Sequence, residues 1–243
     1  MTILVNTSSS SSGTRTWLFL AQQLRQEVGA SGTGPTTCQN QTGESKRLVD
    51  WINAAWMDIQ QIHNDWDWLR KSFSFTTNAG QANYQATTDV GLTDFGTWKK
   101  NTFRGYTTSM GYANEMIMPW IDYEEYRNLY QYGNMRTTYN RPVTFSIGPL
   151  KDIWLGTVPD GVGYTIVGDY YSTPSQFVND TDTPPAAFPD RFWKLIVFKA
   201  MMLYALYEEN PGLYASASVD YNRMLSRMEF DELPPLGYGA SLA

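Results

Sequence analysis

The chain has one histidine, His63, and one cysteine, Cys38, in 243 residues. A single cysteine excludes an intrachain disulfide, and we read Cys38 as an inert loop thiol. One histidine and one cysteine are too few for a zinc site of ordinary ligand count. Any Cys–His or Ser–His–Asp arrangement would have to use His63, and no nucleophile-elbow motif is present. Charge is scarce too: Asp, Glu, Lys and Arg make up 17% of the residues, where about a quarter is usual. The net charge is −6 and no basic run could neutralise a row of phosphates, which argues against tight nucleic-acid binding. An acidic surface still lets DNA slide past without sticking. No apolar stretch approaches the roughly 20 residues of a membrane span. The N-terminus lacks the charged start and long apolar run of a signal peptide, so synthesis and folding in a cytoplasm are expected.

Aromatic residues, by contrast, are abundant at 15%, with 16 Tyr and 9 Trp. Few charges and many aromatics suggest a surface meant to be covered by other chains, because interface cores deplete charge and enrich aromatics. The plainer reading is a monomer with a Tyr-rich sheet. A chain of this length buries roughly 70–75% of its unfolded surface, so a core needs no covalent staples.

Ser8 to Ser12 with Gly13 is low-complexity and reads as a flexible arm. Trp17, Leu20, Ala21, Leu24 and Val28 fall on one face of a helix over 16–28, stopped by Gly29. Leu48, Trp51, Ile52, Ala55, Ile59, Ile62 and Trp66 predict a long helix over 42–66. The period changes at Phe73, Phe75 and Thr77, a strand signature. Further short strands are expected at 82–86, 102–107, 115–118, 143–147, 152–157 and 164–171, with a helical interruption at 123–132. Helix returns at Pro189, with Asp190 as its expected N-cap, and is apolar almost all round between Leu195 and Leu206. Asn210-Pro211-Gly212 breaks it before a second helix through Ala217, Tyr221, Met224, Leu225 and Met228. The stretch from Leu233 on reads as an extended tail, with Pro234 and Pro235 stiffening it.

The expected fold class is therefore α+β. N- and C-terminal helices form an α-helical bundle, and an antiparallel β-rich domain, sandwich- or barrel-like, is inserted between them. We place an arm at 1–15, the bundle at 16–70 and 186–230, the insertion at 71–185 and the tail at 231–243.

The search for chemistry returns weak candidates. His63, near Asp58, Asp65 and Asp67 in sequence, could be a metal ligand or general base, but a surface or interface histidine is the better reading. Asp122 with Glu124 or Glu125, and Asp169 with Asp180 or Asp182, could pair as glycosidase acids. Acids at a helix start and in turns explain them more simply. Gly161-x-Gly163 follows a Pro-Asp turn and reads as a hairpin rather than a phosphate loop. Trp66, Trp68, Phe73 and Phe75 could stack bases but lack cationic neighbours in number, so we read them as packing. Tyr170-Tyr171 ends a strand, one ring expected in the core and the other out. No catalytic set, cofactor site or metal site is expected.

Trp51-Ile52-Asn53-Ala54-Ala55-Trp56, leading to Trp66-Asp67-Trp68-Leu69 and Phe73-Ser74-Phe75, resembles the N-terminal signature of tailed-bacteriophage head-to-tail adaptor proteins. Ala79-Gly80-Gln81-Ala82-Asn83-Tyr84, Arg141-Pro142-Val143, Pro159-Asp160-Gly161 and Tyr164 to Tyr171 are similar to that family's sheet, and 189–210 to its returning helix. The resemblance runs from about Gly43 to Met228. It implies a structural virion protein at the head–tail interface and not an enzyme. The implied assembly is a ring, commonly of twelve copies, docked under the portal protein, with DNA passing through it. The tail would reach into the portal through Leu233, Pro234, Pro235, Leu236, Tyr238 and Leu242, and the β part would face downstream tail or nozzle proteins or fibres. Another tail ring protein, such as a stopper or tail completion subunit, and a carbohydrate-binding tail component are the alternative readings.

Overall fold

The computed structural model describes residues 15–32 and 34–234. In chain order the helices are α1 (Trp17–Glu27), α2 (Gly43–Ile62), α3 (Tyr123–Tyr126), α4 (Lys194–Tyr207) and α5 (Pro211–Glu232). The strands are β1 (Arg70–Thr76), β2 (Asn83–Tyr84), β3 (Phe95–Thr107), β4 (Met116–Ile117), β5 (Thr144–Ile147), β6 (Ile153–Gly156) and β7 (Tyr164–Ser172). The class is α+β. The chain divides into a helical unit, up to His63 and again from Ser175, and a β unit, Asn64–Pro174. The serine-rich arm lies outside the described residues.

In the helical unit, Thr16 caps α1: its hydroxyl accepts from the Phe19 amide at 3.1 Å, satisfying one of the orphan donors of the first turn. The stripe Trp17, Leu20, Ala21 and Leu24 is buried. On α2 the buried set is Leu48, Val49, Ile52, Ala55, Trp56 and Ile59. This helix ends at Ile62, and His63 is already extended (φ −132°, ψ 140°). The expected continuation to Trp66 is therefore incorrect: Trp66 matches the helical spacing but precedes a short 3-10 turn, Asp67–Leu69, in the β unit. Helix α4 packs on α1, α2 and α5, and these three partners explain why its sequence is apolar nearly all round. Asp190 does not cap α4. It opens a short 3-10 turn, Asp190–Phe192, and α4 starts at Lys194. Asn210 caps α5, its side chain accepting from the Leu213 amide at 3.0 Å, with Pro211 in the first turn where no amide is needed.

The changeover at Ser175, rather than at 186, has a physical cause. Two side-chain amides on α2 hold the returning chain like a strand partner. Asn53 bonds both the amide and the carbonyl of Phe177, at 3.0 and 3.1 Å. Gln60 does the same for Ser175, at 3.0 and 2.9 Å. Phe177 then stacks on Trp56 with ring centroids 5.6 Å apart.

The β unit contains two antiparallel sheets, ordered β1-β7-β3-β4 and β2-β6-β5. They share one core, which includes Phe73, Phe75, Trp98, Phe103, Phe145, Leu155 and Ile166. Phe103 and Phe145 stack across it at 3.9 Å and 11°. Gly168 on β7 lets the Phe73 ring lie against the backbone, where a Cβ would come within 3.0 Å of that ring. Among the described residues the sheets do not close into a barrel. β3 starts at Phe95, ahead of the expected 102. Its register against β7 shifts between Lys99 and Arg104, an irregularity that breaks the alternation from which a strand is read. The Gly161–Gly163 turn is not a hairpin, because β6 and β7 belong to different sheets. It carries the chain from one sheet to the other, with the Asp160 carboxylate accepting from the Val162 amide and the Tyr164 hydroxyl, each at 3.0 Å. Tyr170 and Tyr171 are both buried, so the expectation of one exposed ring fails. Strand β7 is paired on both sides, by β1 and β3.

Candidate functional site

Exposed apolar surface marks one region of the β unit. Seventeen large hydrophobic side chains are strongly exposed among the described residues, and nine of them lie between Met110 and Val143. Scattered apolar residues on a surface are ordinary, but a concentration of them signals a contact. Tyr112 is 78% exposed and leans on Tyr106, with centroids 5.1 Å apart. Ile117 sits on the two-residue edge strand β4. Trp120 carries the Lys100 ammonium over its ring at 3.9 Å. Tyr132 receives a hydrogen bond from Arg127 at 2.7 Å. The segment is anchored from below by Tyr126, which is buried and donates to the Leu155 carbonyl at 3.2 Å. Burial pushes its phenol above the ordinary range. Four of the nine are Tyr112, Trp120, Tyr132 and Tyr139, of the side-chain types that dominate interface energetics.

A second surface lies at the end of α5. A groove of about 440 Å³ is lined by Phe192, Met224, Ser226 and Phe230, with Arg191, Arg227 and Asp231 beside them. Arg191 donates to the Asp231 carboxylate at 2.6 Å. Phe230 is 89% exposed. Of the expected tail residues, Leu233 and Pro234 are described and half-buried. The Leu233 amide donates to the Glu229 carbonyl at 3.2 Å, closing the helix. Pro235, Leu236, Tyr238 and Leu242 lie outside the described residues.

Most of the residues proposed for chemistry are held by partners within their own units. His63 caps α2 and its Nε2 is 3.0 Å from Glu229 on α5. Asp58 pairs with Lys199 at 3.2 Å. Asp169 is in the β unit and accepts from Arg70 at 2.8 Å. Asp180, in the helical unit, accepts from Thr37 Oγ1 at 2.6 Å and from the Cys38 amide at 2.7 Å. Asp182 accepts from the amides of Asn179 and Val178, which hold it below the usual carboxylate range. It is a turn acid, not a general acid with a raised pKa. Asp122 starts α3, and Glu124 and Glu125 follow in its first turn. Cys38 is buried, and burial with the Asp180 carboxylate raises its thiol to about 12, so little reactive thiolate forms near neutrality. Trp66, Trp68, Phe73 and Phe75 are buried. Among the described residues no group of three or more His, Cys, Asp or Glu could hold a metal, and no helix is long and apolar enough to cross a membrane.

Sequence reasoning missed both surfaces as places. Composition announced an excess of aromatics, but the 110–143 segment has little period from which to tell an outward ring from an inward one. Phe192 and Met224 were legible only as members of apolar stripes.

A search of curated proteins finds no match. The family described as SU10 adaptor protein matches residues 16–235, which takes in all of the β unit and nearly all of the described helical unit. That family implies a structural component of the virion in contact with portal and tail proteins. The chain belongs to the SU10 adaptor protein family of phage head-to-tail adaptors.

Proposed function

We propose that this adaptor assembles as a ring, most simply of twelve copies, beneath the portal protein and leaves a passage for DNA through its centre. The helical unit builds the ring. The segment from Leu233, with Pro234, Pro235, Leu236, Tyr238 and Leu242, reaches into the portal. The β unit presents its 110–143 face to downstream tail or nozzle proteins. The observation that carries this reading is the crowding of exposed Tyr, Trp, Met and Ile side chains on that one segment. An enzyme would instead gather titratable groups with shifted pKa values in a cleft, whereas the acids singled out from the sequence are engaged in local pairs and turns. A stopper or tail completion subunit would place the same surfaces elsewhere in the tail.

Light scattering on the protein alone and mixed with its phage's portal tests the reading. A stoichiometric complex supports it. No complex at any salt concentration removes it, and the protein then belongs at another tail position. Deleting 233–243 should leave the far-UV circular dichroism unchanged and abolish portal capture. Tyr112→Ala with Ile117→Asp should spare portal capture and weaken the downstream partner at least tenfold, the scale of one lost hot-spot residue.

A further inference from the structure

We infer that, before any partner is engaged, the groove at the end of α5 is filled by this chain's own residues after Pro234. This inference rests on the portal-binding reading of the same segment, and it assigns that segment a second, earlier binding site. The groove offers Phe192, Met224 and Phe230 as apolar lining. A ring as exposed as Phe230 gains from any apolar cover, at roughly 25 cal/mol per Å² removed from water. The residues after Pro234 include Leu236, Tyr238 and Leu242 and no charged side chain, so they bring no side-chain ion against the apolar lining.

The reach is sufficient. Met224, at the far end of the groove, is nine residues before Leu233 on the same helix, about 14 Å at the helical rise. Nine extended residues span up to roughly 30 Å. Leu233 is extended (φ −93°, ψ 145°), and it and Pro234 are half-buried. The tether selects the occupant. A segment joined to its groove by a few residues is present at a millimolar effective concentration, which a free second copy does not match. A portal must then compete for the segment, and subunits away from the portal keep their docking segment covered.

A disulfide trap on the full chain tests this. In a Cys38→Ser background, Ser226→Cys puts a thiol in the groove and Ser241→Cys puts one in the segment. Oxidation with copper phenanthroline should lock most of the protein as an intrachain disulfide on a monomer. Adding Phe230→Asp should slow closure at least tenfold, with the circular dichroism unchanged. A mainly interchain product would overturn the inference in favour of a second copy. Closure as fast with Phe230→Asp as without it would also overturn it, as random collision of a tail. Portal capture by the reduced protein is scored separately. Its absence sinks the portal reading and leaves the trap result standing. Capture lost on oxidation and restored by reduction supports both.

Discussion

The two units bury their apolar residues in different ways, and they differ in what they leave exposed. The helical unit collects its apolar residues on stripes that neighbouring helices cover. Among its described residues it leaves six large hydrophobic side chains strongly exposed, Phe230 the most exposed of them. The β unit fills a core with stacked aromatics and still leaves eleven exposed, nine of them on one segment. A helix whose apolar stripe faces the core offers other chains only what lies off that stripe, as Phe230 does beside the α5 groove. A sheet unit whose loops are also rich in Tyr keeps a surplus, and that surplus is the surface we propose as an interface.

High pH offers the largest separation of the units. Burial and the Asp180 carboxylate raise the Cys38 thiol from 9.0 to about 12 in the helical unit. Its contribution is complete below 9.0 and is lost as pH rises toward 12. Burial also raises Tyr221 there to about 12. In the β unit burial raises Tyr84 and Tyr170 to about 12, the latter aided by its bond to Asp94, and lifts Tyr126 and Tyr164. These phenols begin to cost stability only above 10. A pH titration should show the helical signal at 222 nm weakening about one pH unit before the near-ultraviolet signal of the β unit. Cys38→Ala should erase that lead. Simultaneous loss in the parent protein would mean that the units unfold as one.

Core truncations sharpen the same contrast at neutral pH. Phe103→Ala removes the ring stacked on Phe145. Trp56→Ala removes the ring packed on Phe177 and Phe188. Each should cost about 3–5 kcal/mol. Calorimetry should show the first lowering the transition of the β unit and the second that of the helical unit. Asn210→Ala, which deletes the cap of α5, should cost about 1 kcal/mol and move only the helical transition.

Legibility in the sequence follows the same division. Stripes on α1, α2, α4 and α5 were readable because each buried face repeats at helical spacing. The same rule overran at Trp66, since spacing cannot report that the chain has changed partner after His63. Strands were found where alternation is clean, as at Phe73 and Phe75, and missed at 95–101, where Gly96 falls in one register shift and Lys100 and Asn101 fall in a second. Tyr170 and Tyr171 show why alternation alone misjudges a central strand: Tyr171 is buried although Val167 and Asp169, on the same face of β7, are half-exposed. Neither surface had a period, so composition could announce contacts without locating them.

Low pH gives the smallest expected effect and tests one pin in the β unit. Burial alone would raise the Asp94 carboxyl, but hydrogen bonds from Lys71 and Tyr170 outweigh it and bring it below its ordinary 3.8. A carboxyl held down in this way contributes fully above 3.8, and its contribution is lost as pH falls through the depressed value. The Lys71–Asp94 pair is half-exposed, so its share is about 0.2–1 kcal/mol after screening by solvent. The Tyr170 hydroxyl, 2.8 Å away, ties the pair to the core. Asp94→Asn can still accept that hydroxyl but cannot pair with Lys71. It should therefore flatten the acid limb of the β unit below pH 4 and leave the helical transition in place, since Asp182 in the other unit is held by backbone amides instead. An acid limb that stays as steep in Asp94→Asn as in the parent would show that the pin contributes nothing and that other carboxylates set the acid stability of this unit.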